Sequence, residues 1–231
     1  VRLTLADSPF ADRTGRGVVV AVLDSGVHAD HPHVGGIRGG MSFVPDDGAN
    51  DVLDRIGHGT AVAAAIREKA PGVELIAAKI FHRQLATNAD VLVRSIEWAA
   101  DEGAQLINLS LGTANPMHAE RLARAVAYAA ERGALVVSAR RTHDIDFFPG
   151  ALAGVAGVTR DEALDRDAID VERRDGDVPI FSASPYPRSI PNVPRERNLS
   201  GVSFAVANVT GFLARAIEHA GGELFSALRV G

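Results

Sequence analysis

At 231 residues the chain suits one large α/β domain, with enough apolar residues (46%) to need no metal or disulfide staple. It has no cysteine, which excludes disulfides, thiol nucleophiles and cysteine-bound zinc. The formal charge of -5 comes without a basic stripe, which argues against a nucleic-acid partner, and no apolar run reaches membrane-spanning length.

The first apolar run, Gly17 to Leu23, is short and β-branched, as a buried strand requires; Asp24-Ser25-Gly26 ends it. An Ala-rich helix is expected from Gly59 and closes at Pro71-Gly72. Val73 to Phe81 reads as the next strand, and residues 88–102 repeat apolar positions at helical spacing until Gly103. Ala104 to Leu109 is strand-like. Residues 117–132 form a second amphipathic pattern, and Ala134 to Ala139 follows as a strand. A weaker strand is expected over 152–158, and a last helix from Ser203 to Ala220.

Alternation of strand and helix is the pattern of a parallel sheet covered on both faces, with ligands beyond the carboxyl ends of its strands. Asp24 lies at such an end, and Ser110 and Thr142 also follow strand-like runs. The segment 161–177 holds eight Asp or Glu and three Arg, and is expected as a solvated loop or hairpin edge, with a cation site or a surface for a basic partner as the sharper alternative. The proline-rich stretch 182–200 is expected to be an ordered surface excursion rather than a linker, so residues 1–231 are taken as one domain.

Three motifs carry chemistry: Val22-Leu23-Asp24-Ser25-Gly26-Val27, Gly57-His58-Gly59-Thr60-Ala61-Val62-Ala63, and Gly201-Val202-Ser203-Phe204-Ala205. A serine hydroxyl is a weak nucleophile until a base takes its proton, and imidazole titrates near neutrality. A buried carboxylate can hold the imidazole tautomer and stabilise the imidazolium. Read singly, each residue has a plainer meaning: Asp24 as a turn or cap, His58 as a satisfied polar residue, Ser203 as an N-cap.

Together these motifs resemble the subtilisin-like (S8) serine proteases. The resemblance implies a three-layer fold with a mostly parallel central sheet and helices on both faces. It implies catalytic Asp24, His58 and Ser203, in the chain order known for subtilisin. By the same likeness, Ser110-Leu111-Gly112 would line the non-primed side of a substrate cleft, and Phe148-Pro149-Gly150 a further part of the pocket wall. The implied reaction is hydrolysis of peptide bonds through an acyl-enzyme, with a peptide or protein as partner and no cofactor.

The pattern also departs from the family. Where subtilisins carry Ala-Gly-Asn, whose Asn donates to the oxyanion, this chain reads Ser138-Ala139-Arg140-Arg141-Thr142-His143. Thr142 stands at the Asn by register, with a shorter reach; Arg140, Arg141 and His143 are the other candidate donors, or an arginine could bind a substrate carboxylate. His33 occupies a position often held by a calcium-ligating Asp, so no metal is expected there. The family's Gly-Thr-Ser becomes Gly201-Val202-Ser203, and a common proline becomes Ala207. Three readings stay open: an active protease, a selective peptide processor or acyl-transfer relative, and a peptide-binding pseudo-protease. A monomer is the default expectation, and the sequence shows no basic-then-apolar leader; a cytoplasmic protein and an exported, processed one both fit.

Overall fold

The structure is a computed structural model and describes residues 1–45, 47–142, 144–174 and 177–222. In chain order it contains β1 (Arg2–Thr4), β2 (Val19–Asp24), β3 (Gly39–Ser42), α1 (His58–Lys69), β4 (Glu74–Lys79), α2 (Ala89–Asp101) and β5 (Leu106–Leu109). There follow α3 (Ala119–Glu131), β6 (Leu135–Ala139), β7 (Arg141–Thr142), β8 (Ile145–Asp146) and β9 (Ala156–Arg160). The last are β10 (Ala168–Glu172), β11 (Ile180–Ala183) and α4 (Val202–His219).

Among the described residues, nine strands form one sheet in the order β1-β10-β11-β9-β6-β5-β2-β4-β3. Every pairing from β11 to β3 is parallel, and β1, β10 and β11 add an antiparallel margin. The chain leaves β2 through α1 to reach β4 on one side, then returns through α2 to β5 on the other. That reversal flanks β2, and the carboxyl ends of strands at such a reversal form a crevice.

Side chains alternate across the strands, and both faces are buried. Val20, Val22, Leu75, Ala77 and Val137 pack with α1 and α4 in one core. Ala21, Leu23, Ile76, Ala78, Ile107 and Val136 pack with α2 and α3 in the other. Two buried faces explain why these strands read as unbroken apolar runs rather than alternating ones. Asp24 continues the α1/α4 face of β2, and its register partner is Lys79.

Several elements differ from expectation for identifiable reasons. The third helix starts at Ala119 because Pro116–His118 form a 3-10 turn, whose Met117 amide is taken by the Asn115 side chain at 3.0 Å. The strand expected over 152–158 lies at Ala156–Arg160, after Gly154 turns the chain at φ +76°. The acidic segment 161–177 is not simply a solvated loop or an edge: β10 lies within it, covered outside by β1, and Leu164, Ala168 and Ile169 are buried. Among the described residues, no group of three or more His, Asp or Glu is placed to hold a metal ion. Within 182–200, Ser184 is buried, and its carbonyl accepts from Asn208 of α4 at 3.0 Å.

The far end of α4 is also tied down. One Glu218 carboxylate oxygen accepts the backbone N–H groups of Thr14, Gly15 and Arg16 at 2.7, 2.7 and 3.0 Å. Midway along α4, a Cβ on Gly211 would sit 2.4 Å from the Lys69 Cβ, so the two helices touch there through glycine. Exchanging a helical glycine for alanine ordinarily gains about 1 kcal/mol. Here the sign should reverse: Gly211→Ala is expected to destabilise the protein by about 1–3 kcal/mol through overpacking, measured as a lower denaturation midpoint.

Candidate active site

Asp24 is the last residue of β2 and is fully buried. Its Oδ1 accepts the Ser25 amide at 2.8 Å and lies 2.7 Å from His58 Nδ1. With an ionised carboxylate as acceptor, Nδ1 carries the proton and Nε2 is left free to accept one. Among the described residues, Asp24 Oδ2 is buried without a hydrogen-bond partner. The negative charge of the carboxylate favours an imidazolium beside it.

His58 opens α1 directly after Gly57, which turns at φ +92°. A helix amino terminus repels a cation, so the imidazole sits where its protonation would otherwise be disfavoured. Burial opposes protonation most strongly, but the hydrogen bond to Asp24 and its charge, with a contribution from Asp54, outweigh it. The net effect raises the His58 pKa above its ordinary value. The two elements approach closely because residue 59 is glycine: a Cβ there would lie 2.1 Å from the Gly26 carbonyl and 3.1 Å from Asp24 Cβ.

Ser203 is the second residue of α4, and no side chain caps that helix at Gly201. The first turn therefore has no side-chain acceptor among the described residues, and a helix amino terminus favours negative charge. The Ser203 hydroxyl donates to the Ser110 carbonyl at 3.4 Å, and the Ser110 hydroxyl donates to the Ser203 carbonyl at 3.5 Å. The next residue, Phe204, packs its ring 5.7 Å from that of His58. A buried polar chain stands behind Ser110: Asn108 Nδ2 donates to its hydroxyl, and Thr210 of α4 donates to Asn108 Oδ1, each at 3.0 Å. Neither Asn108 nor Thr210 is among the residues that the sequence assigns to the site.

The remaining candidates divide. Leu111 is tied to β6 by the Ser138 hydroxyl, which donates to its carbonyl at 3.1 Å. Gly112 lies against the segment after β8, where a Cβ would be 2.8 Å from Phe147 Cβ, and Thr113 exchanges two 2.9 Å backbone hydrogen bonds with Phe148. Leu111 and Gly112 line a cleft of about 620 Å³ whose other wall includes Leu85, Asn88 and Leu92. Thr142 pairs with Ile145 in the β7–β8 hairpin, and Arg141 donates to Asp146 across it at 2.8 Å. Arg140 donates its amide to Val158 at 2.8 Å, and its side chain crosses Gly157. Among the described residues, no hydrogen bond holds its guanidinium. His143 lies outside the described residues.

Asp54 was also passed over. Its signal is its spacing, four residues ahead of His58 and close to the start of a helix, where a carboxylate acts as a cap. Here it accepts five hydrogen bonds, from Ser25 Oγ, the amides of Ile56, Gly57 and Thr60, and Thr60 Oγ1.

Comparison with known proteins fits this geometry. A sequence model of the subtilase family matches residues 15–140. Subtilisin Savinase of Lederbergia lenta is 41% identical over 135 residues, covering 54% of this chain and 48% of its own length. The intracellular serine protease of Paenibacillus polymyxa is 30% identical over 236 residues, covering 93% of this chain and 71% of its own. In fold, a crystal structure of a lanthipeptide protease superposes with a TM-score of 0.71 at 20% identity, covering 94% of this chain and 78% of that one. The nisin leader peptidase NisP of Lactococcus lactis gives 0.70 at 18%, covering 94% and 82%. The chain belongs to the subtilase family, with the α/β fold of its members. It spans about half or less of the length of the subtilisins and alkaline proteases that it matches.

The contact at Gly59 is a direct check on the geometry. Gly59→Ala should push α1 away from Asp24 and lengthen the 2.7 Å hydrogen bond. Any activity carried by His58 should fall by about 10²-fold, with a smaller loss of stability, measured by turnover and thermal unfolding side by side.

Proposed function

We propose that this chain is a serine peptidase in which Asp24, His58 and Ser203 act as a triad. The observation that carries the reading is the 2.7 Å hydrogen bond between buried Asp24 and His58, with Nε2 left as the accepting nitrogen. Rotation of the Ser203 side chain would move its hydroxyl from the Ser110 carbonyl to His58 Nε2. Its Oγ then bonds to the scissile carbonyl carbon while its proton passes to Nε2. The carbonyl oxygen takes the negative charge, and the uncapped amides of α4 favour it there. As the C–N bond breaks, His58 returns the proton to the leaving amine, and water clears the acyl ester by the same roles.

A selective rather than broad action is the second reading. It is supported by the β7–β8 pairing, which stands where the family has its Asn-bearing segment, and by the close approach of Phe147 to Gly112 beside Leu111. Two solved structures sharing the fold are named for a lanthipeptide and for a nisin leader. A processor of one peptide fits both observations.

A fluorophosphonate should label the protein at Ser203 and fail with Ser203→Ala. That substitution should lower hydrolysis by about 10⁴-fold or more, the scale known for the subtilisin triad. Labelling that survives the substitution, or saturable peptide binding without cleavage by the wild type, would reject the peptidase. Because the base must be neutral and its pKa is raised, kcat/KM should climb with pH through a midpoint above the ordinary histidine value. Asp24→Asn should move that midpoint down and reduce turnover.

A further inference from the structure

We propose that Asp54 is a positioning residue that fixes the separation of Asp24 and His58 by holding the backbone on which each stands. The inference rests on the reading that this pair forms the base of the reaction.

A capping carboxylate ordinarily serves its own helix. Asp54 does that through the amides of Gly57 and Thr60, at 2.7 and 2.9 Å, and these bracket His58. It also reaches across to another element. Its Oδ1 accepts from Ser25 Oγ at 2.9 Å. Ser25 is fully buried; its hydroxyl accepts the Gly59 amide at 2.9 Å, and its own amide donates to Asp24 Oδ1 at 2.8 Å. Both ends of the Asp24–His58 hydrogen bond therefore trace back to one carboxylate. Thr60 widens the anchor, since its hydroxyl donates to Asp54 Oδ2 at 2.6 Å and accepts the His28 amide at 3.0 Å.

Every partner of Asp54 is a donor, so the site demands two acceptor oxygens. An asparagine supplies one oxygen and one NH₂ group. Whichever way it is turned, its NH₂ opposes either the Thr60 amide or the amides of Ile56 and Gly57. Burial works against the ionised form of Asp54 most strongly, but its hydrogen bonds with Thr60, Gly57 and Ile56 overcome this and lower its pKa. The charge is thus retained near the imidazole. Asp24 and Asp54 are the ionisable groups that act on His58; from α4 it is faced by uncharged Phe204.

The test compares wild type, Asp54→Asn and Ser25→Ala in peptide hydrolysis and in NMR titration of the His58 ring. Asp54→Asn should lower kcat by about 10–100-fold with KM within about twofold, the scale of a misplaced reacting group. It should also move the His58 midpoint down by a few tenths of a pH unit or more, because a negative charge facing the ring is lost. A role in folding alone would lower the melting temperature and leave that midpoint in place. Folded Asp54→Asn with unchanged kcat and an unchanged midpoint overturns the proposal. Should Asp54→Asn fail to fold, Ser25→Ala decides, since it cuts the link to Asp24 and leaves the cap: about a fivefold or greater loss of kcat at constant KM supports the anchor, and full kcat rejects it. The titration does not depend on turnover. A wild type that hydrolyses nothing, with the midpoint displaced also in Ser25→Ala, which removes no charge, would sink the peptidase and keep the anchor.

Discussion

A fully buried carboxylate facing an imidazole sets the terms for the rest of this structure. Removing Asp24 from water is costly unless something nearby compensates it, and His58 is its side-chain partner. The imidazole in turn stands at a helix amino terminus, where only such an anion makes its protonated form tolerable. The sharp turn at Gly26 and the missing side chain at Gly59 follow from the need to bring a strand end and a helix start into contact. A larger residue at either place would meet backbone before the two side chains met each other.

The sheet divides the work between its faces. α1 and α4 lie on one face and bring His58 and Ser203 to the same end of it, while α2 and α3 build the opposite core. The close passage of α4 over α1 at Gly211 ties the helix that carries Ser203 to the helix that carries His58. Behind Ser203, the chain from Thr210 through Asn108 to Ser110 links the same helix to the central strand β5. Polar groups buried in this way favour one arrangement of helix against sheet, because any slippage strands them without partners.

Much of this was legible in the sequence, and the parts that were not share a cause. The central strands announced themselves as short β-branched runs, and the helices by their spacing. β3, which reads Gly-Gly-Met-Ser, has no apolar pattern of its own and exists because β4 offers it an edge. β10 was hidden by the charge around it: Asp170 and Glu172 alternate with Ile169 and Val171, and only the latter pair packs on the core. At the site, Asp24, His58 and Ser203 stood out by motif, and the first two are in contact. Asn108 and Thr210 did not, because they bond each other across 102 positions, and Asp54 reads as an ordinary cap until its bond to Ser25 is added. The hairpin at 141–146 was unreadable for a similar reason: Arg141 looked available until its pairing with Asp146 was seen.

The clasp at Glu218 has a mechanical meaning. Helix α4 behaves as a rod with Ser203 near one tip and a three-amide grip on residues 14–16 near the other. Whatever loosens that grip, whether acid that neutralises the carboxylate or a nick in the loop it holds, acts on a lever whose opposite tip carries Ser203. The amino-terminal loop thereby becomes a remote brace for Ser203.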